Sequence, residues 1–235
     1  MTYEIYRNSK IIVFASNETT NIKTGPGTQI WTLDINYHPV ESRKNGNEKL
    51  AQCRGCNLAS NNGCYVTPLP LIGIYKSWKN GNIPKIKIGD DAWYKLFYKQ
   101  YVRFGAYGNP SCIPLYMVES ISEMARSITG YFHDWHLMSP AKAKKYGKYF
   151  MASCDENNYK KAQSLGLRTY TISEKPVDNS IPCVYYKNGI TCNACSLCNG
   201  TQSKKPSIYV KAHGFQLEKA MRASRKIESD PIGST

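Results

Sequence analysis

The sequence predicts an α/β fold, a partial or complete (β/α) barrel with parallel strands, carrying a C-terminal cysteine-rich metal lobe. Three observations predict it. From Gly89 onward, short apolar runs alternate with helix-period segments across short loops, and each such helix must carry the chain back over a parallel sheet. The chain has 235 residues, 41% of them hydrophobic, which is enough for one large core. Seven of the nine cysteines fall into two compact groups at metal-ligand spacing.

Taken in order, KIIVFA at 10–15 and QIWTLDI at 29–35 read as strands separated by the turn-rich NETTNIKTGPGT. The first cysteine group follows the second strand. Asp90 and Asp91 open a helix whose apolar face is Trp93, Leu96, Phe97 and Tyr101, and VRFGA at 102–106 is a short strand. Pro114 starts a helix with Met117, Ile121, Met124, Ala125 and Ile128 on one face, stopped by Gly130. GYFHDW is a strand with a polar end. Ser139 and Pro140 cap a short helix closed by Gly147, KYFMASC at 148–154 is a strand, and Asp155 caps ENNYKKAQSLG, which ends at Gly166. LRTYTI at 167–172 is the next strand. The chain divides into a barrel-like domain over 1–175 with the three-cysteine loop, a cysteine-rich segment over 176–214 closing onto it, and a basic helix and tail over 215–235.

Lysine and arginine exceed aspartate and glutamate by 31 to 17, a net charge of +14 that attracts phosphate polymers or acidic surfaces. The excess is scattered, in clusters at Lys142, Lys144, Lys145 and Lys148, at Lys204, Lys205 and Lys211, and at Arg222, Arg225 and Lys226. A nucleic-acid footprint and a solvated lysine-rich surface both account for it. No apolar run approaches the ~20 residues of a membrane span, so a membrane is not an expected partner. MTYEIYRNSK lacks the apolar centre of a signal peptide and nine is an odd number of cysteines, so a reducing, cytoplasmic compartment is expected.

The cysteines carry the chemistry. Cys53, Cys56 and Cys64 lie in CRGCNLASNNGC, and Cys183, Cys192, Cys195 and Cys198 in CVYYKNGITCNACSLC. Thiolates so close in sequence converge on a soft metal at little loop-closure cost; three leave a coordination position open and four do not. One reactive and one structural centre are therefore expected. The isolated Cys112 and Cys154 read as packing residues. For the first group the alternative is a structural zinc knuckle completed by a donor such as His38. For the second, a ferredoxin-like run completed by Cys183 and a four-thiolate zinc site fit equally. A split zinc ribbon joining Cys53 and Cys56 to Cys192 and Cys195 leaves three cysteines unused.

In parallel α/β folds the working groups gather where strands end and βα loops begin. Those ends carry Gly105 to Gly108, His133 to His136, and Ser153 to Asp155. His133 and Asp134, an imidazole beside a carboxylate, are the candidate catalytic pair, with local hydrogen bonding and packing as the alternative. Ser153 is a candidate for holding a carboxylate or phosphate. Arg168, at a strand start, reads as a surface ion-pair residue, with binding of a carboxylate or phosphate as the alternative, and His213 as a rim residue or ligand.

Several segments in register, KTGPGTQIWTLDINYHP, CRGCNLASNNGCYV, VRFGAYGNPSCIP, GYFHDW, FMASCDENNYKKAQSLGLRTYTI and CNACSLCNG with SIYVKAHG, resemble the phage "gene product 88" family of uncharacterised proteins. The likeness runs from about Lys23 to Gly214 and implies a protein acting in an infected host cell. More distantly, a strand, a three-cysteine loop ending in Cys-Tyr, a glycine-bearing second strand and β/α repeats are similar to the radical S-adenosylmethionine superfamily. That similarity implies a [4Fe-4S] cluster on Cys53, Cys56 and Cys64, S-adenosylmethionine on its fourth iron, and cleavage to a 5′-deoxyadenosyl radical acting on an unidentified substrate. It places RFGAYG, with Gly105, Tyr107 and Gly108, where the superfamily holds the methionine amine. The cysteine spacing here is C-x2-C-x7-C in place of the usual C-x3-C-x2-C.

Overall fold

A computed structural model describes residues 1–18, 21–45, 51–56, 58–59, 64 and 66–211. The expected basic helix and tail at 215–235, with Arg222, Arg225 and Lys226, and His213 lie outside them.

Two five-stranded sheets organise the chain. In the first, β1 (Thr2–Arg7), β2 (Ile11–Ser16) and β3 (Thr28–Asp34) run antiparallel to one another, and β4 (Tyr101–Tyr107) and β5 (Ser127–Thr129) continue parallel to β3. The second is all parallel, in the order β6 (Tyr131–Phe132), β7 (Met151–Asp155), β8 (Thr169–Ile172), β10 (Ser207–Val210), β9 (Ser180–Pro182). Mixed α/β architecture with parallel strands is thus what the chain forms. Among the described residues no hydrogen bonding joins β1 to β9, so the order of strands is not a closed ring.

Gly130 links the sheets. It stands between β5 and β6, donating its N–H to Cys198 O at 3.2 Å and accepting from Met151 N at 3.1 Å. A Cβ there would lie 2.7 Å from the Phe150 ring and 3.1 Å from Phe104 Cβ, so a side chain would push the two sheets apart. It is not the helix stop the sequence suggests. The preceding helix ends at Met124, and Ile128, expected on its apolar face, is a residue of β5.

The helices follow the strands as α1 (Pro39–Asn45), α2 (Leu69–Lys79), α3 (Asp91–Phe97), α4 (Leu115–Met124), α5 (Pro140–Gly147), α6 (Tyr159–Ser164), α7 (Val184–Asn188) and α8 (Cys192–Cys195). Helix α2 lies in a stretch interrupted by Pro68, Pro70 and Gly73, where the sequence pattern predicts none; tertiary contact overrides that weak local preference. Tyr101 belongs to β4 and not to the face of α3. Ser139 caps α5, its Oγ accepting from Lys142 N at 3.4 Å. Asp155, the expected cap of α6, stays at the end of β7, and α6 starts later, after Asn158.

The main core sits between the strands and α3 to α6, with Val13, Ile30, Phe104 and Phe132 against Trp93, Met117 and Ile121. A second cluster joins Phe14, Trp31, Leu33 and Tyr107 to Leu71 and Tyr75 of α2. The cysteine-rich segment is built into the second sheet. It supplies β9 and β10 to the second sheet, and Cys183 and Cys198 pack with Met151, Ile208 and Val210. Among the described residues no helix is long and apolar enough to cross a membrane.

Candidate metal centres

The loop after β3 returns to the carboxyl ends of the strands, as the sequence suggests. Its 3-10 turn Ala51–Cys53 is tied to the residues following β4 by Asn109 N–H donating to Gln52 O at 2.7 Å. Gly55 has φ +70°, and a Cβ there would stand 2.8 Å from Asp134 Cα and 3.2 Å from His136 Cε1. Only a glycine lets this loop lie directly on the end of β6. A second 3-10 turn, Pro110–Cys112, sits beside the first, and Ser111 Oγ donates to Asp134 Oδ1 at 2.6 Å.

The thiols here share one electrostatic neighbourhood. Burial pushes the Cys53 thiol well up, and the thiols of Cys56, Cys64 and Cys112 and the Asp34 carboxylate add to the rise. Cys56 is pushed up to about 11 by burial, against the backbone N–H groups of Leu58 and Ala59, which favour its thiolate. Burial and Asp134 push Cys112 up to about 12, while Arg54 and Lys142 pull it down. The sulfurs of Cys53, Cys56 and Cys112 are therefore held as thiols until a cation replaces their protons. All nine cysteines are unbridged, and among the described residues no three thiol, imidazole or carboxylate groups stand at metal-ligand geometry. Holding a metal requires the loop to draw its sulfurs together.

Buried polar atoms point to the same place. Gln52 Oε1 and Nε2, Asn109 Nδ2 and Thr32 Oγ1 have no hydrogen-bond partner among the described residues, though all three residues are buried. Such atoms cost roughly 1–3 kcal/mol each when left unpaired and mark where a further polar group fits. Buried thiols with these neighbours suit a soft metal ion or an iron–sulfur cluster. His38, the alternative fourth donor, is committed elsewhere: its Nδ1 accepts from Val40 N at 3.3 Å and its ring stands edge-on to Tyr75.

The other rim residues divide. Asp134 is buried beside the cysteine loop, and burial depresses the neighbouring His133 to about 4 although Asp134 pulls it up. His136, closer to solvent, is lowered mainly by burial, with Asp134 opposing and Lys161 assisting. Gly105 and Gly108 are backbone devices. Each has a positive φ, and a Cβ at Gly108 would meet Thr32 O at 2.4 Å. Tyr107 packs in the cluster under α2, and Ser153 presents its carbonyl to Trp135 Nε1 at 3.0 Å.

The second group reaches the amino ends of strands in the first sheet through Cys192 to Ser196, whereas Cys183 directly follows β9. Cys192 N and Asn193 N donate to Lys23 O and Thr24 O, each at 2.9 Å, ahead of β3, and Ser196 Oγ meets Ser127 Oγ at 2.9 Å where β5 begins. Cys183, Cys192, Cys195 and Cys198 all line one cavity of about 20 Å³, together with Tyr131 and Lys23. Burial raises Cys198 to about 12 while the Tyr131 hydroxyl donates to its sulfur, and Cys192 is raised by burial against Arg103 and Lys23.

Arg103 and Arg168 serve this segment. The Arg103 guanidinium lies 5.8 Å over the Tyr131 ring and acts on Cys192. A cation inside the otherwise apolar run VRFGA was the signal that could have identified it. Arg168 corrects the expectation of a surface ion pair: it is buried, and its guanidinium donates to Leu197 O at 2.9 Å, Asn199 O at 2.5 Å, Ser203 Oγ at 3.0 Å and Pro206 O. Such a fan of carbonyls stabilises the charge where water is excluded. Comparison of the chain with protein-family models, curated proteins and solved structures returned no match.

Proposed function

We propose that the chain is an iron–sulfur protein of the radical S-adenosylmethionine-like type, with a working centre on Cys53, Cys56 and Cys64 and a structural centre on Cys183, Cys192, Cys195 and Cys198. The observation that supports it most is the docking of the three-cysteine loop on the carboxyl ends of the parallel strands, through Gln52 to Asn109 and through Gly55 to Asp134. Chemistry in parallel α/β folds belongs at that end, whereas groups at the amino end serve stability. We read the two sheets as halves of an open (β/α) barrel joined at Gly130, in keeping with the superfamily likeness. The gene product 88 likeness supports action in an infected host cell.

A cluster on these thiolates would supply one-electron chemistry and, where a donor is lacking, a site for S-adenosylmethionine. The chain's own groups have definable tasks. Gly55 and Gly108 let the loop lie against the rim. Asp134, oriented by Ser111, and the half-exposed His136 can hold or move a proton beside the centre. The second centre, zinc or a second cluster, would bind the 183–198 segment to the amino ends of the strands.

A rival reading is a zinc-stapled protein that binds nucleic acid through its basic surface, favoured by the exposed Lys142, Lys144, Lys145 and Lys148 around α5 and the net charge of +14. Anaerobic purification separates the two. Brown protein containing iron and acid-labile sulfide, with a spectrum altered by S-adenosylmethionine, supports the first. Colourless protein with zinc alone, whose DNA binding falls steeply with salt, supports the second.

A further inference from the structure

We propose that Cys112 is a fourth thiolate donor to the centre on Cys53, Cys56 and Cys64, an inference that rests on that centre holding a metal. Two 3-10 turns lie side by side on the rim, Ala51–Cys53 and Pro110–Cys112, and each ends in a cysteine. They are pinned on one side by the 2.7 Å hydrogen bond from Asn109 N to Gln52 O. On the other side Asp134 holds both, accepting from Ser111 Oγ at 2.6 Å and standing 2.8 Å from the position of a Gly55 Cβ. Gly108 allows no slack, since its Cβ position is 3.2 Å from Gln52 Cβ and 2.4 Å from Thr32 O. The turn carrying Cys112 is therefore packed against the turn carrying Cys53.

Charge and competition point the same way. The Cys112 thiol acts on Cys53, and the cationic Arg54 and Lys142, which favour its thiolate, act on Cys112. His38 is engaged with Val40 and Tyr75. Cys154, the other isolated cysteine, is buried in the main core, and Asp155 is the charged group acting on it. Of the two isolated cysteines, Cys112 alone adjoins the trio. On binding, each of the four thiols gives its proton to solvent as its sulfur–metal bond forms, and no electron is transferred. With Cys112 bound, the centre has no position open at rest, and a small molecule reaches the metal only by displacing this thiolate.

The test uses the full-length protein, reconstituted anaerobically with equal amounts of ferrous and ferric iron and with sulfide, and then oxidised with ferricyanide. A cluster held by three thiolates sheds its unligated iron and gives the electron paramagnetic resonance signal of a three-iron cluster. Wild type is expected to resist this loss, whereas Cys112→Ser keeps its cluster but sheds one iron on oxidation; Cys154→Ser behaves as wild type. Wild-type protein that sheds one iron as readily as Cys112→Ser overturns the proposal and leaves a three-thiolate centre standing. Should Cys64→Ser retain the full wild-type iron and sulfide, the centre itself is absent and the reading beneath the proposal fails. The wild-type measurement decides the matter even if Cys112→Ser does not fold.

Discussion

Arg168 grips Asn199 twice, its Nη1 donating to the backbone carbonyl at 2.5 Å and to the side-chain Oδ1 at 2.8 Å. Asn199 directly follows Cys198, so a residue at the start of β8 holds the end of the four-cysteine segment. Arg168→Ala would leave several carbonyls without their donor and is expected to cost about 3 kcal/mol of stability, read as a lower urea midpoint. Lysine, a single point donor, should recover only a small part of this. An alanine variant as stable as wild type would contradict the latch.

Arg103 should tune metal affinity at the amino-end centre. Four thiolates around zinc carry a net charge of two minus, and Arg103 and Lys23 are the cations that act on Cys192. Arg103→Met is expected to lose the tightly bound metal at roughly ten-fold lower chelator concentration, about 1.4 kcal/mol, while Arg103→Lys stays near wild type. Equal chelator sensitivity in all three proteins would show that the charge is irrelevant.

Gly55 separates the two centres experimentally. An added methyl group meets the Asp134 backbone at 2.8 Å, and the positive φ disfavours any side chain. Gly55→Ala should lift the first loop off the rim and lower its metal content while the metal at Cys183 to Cys198 remains. Loss of both metals together would mean that the centres are not independent.

The pH dependence of stability should carry the signature of a part-buried imidazole held neutral in the folded chain. Burial holds His133 at about 4 in the folded chain, against a model-peptide value of about 6.5 when unfolded. Between these values the unfolded state binds the extra proton, so stability falls as pH drops through that window, by up to ~1.4 kcal/mol per unit. His133→Gln should flatten this slope in urea titrations between pH 6.5 and 4. An unchanged slope would show that His133 is not the group responsible.

Much of the α/β order was legible because it rests on local pattern. Strands β2, β3, β4 and β8 and helices α3, α4 and α5 follow apolar periodicity, capping residues and prolines. Helix α2 escaped because Pro70 and Gly73 argue against a helix that its contacts with Phe14 and Trp31 nevertheless stabilise. Position along a strand, which brought Tyr107 and Ser153 into view, does not by itself show which side of the sheet a residue serves. The nearness of Cys112 to Cys53 was not legible, because the two are far apart in sequence and are brought together by contacts such as Asn109 with Gln52.

By itself the sequence determined that thiols cluster at close spacing, and that strands and helices alternate, because spacing and periodicity are properties of neighbours along the chain. Only the tertiary structure decided that the loop with Cys53 packs beside the residues that follow β4 and β6, that Cys192 to Ser196 meets the amino ends of β3 and β5, and that Arg168 is buried against the backbone of Leu197, Asn199 and Pro206. Those relations depend on how parallel strands align and which loops a glycine lets approach, and both arise from packing between distant segments.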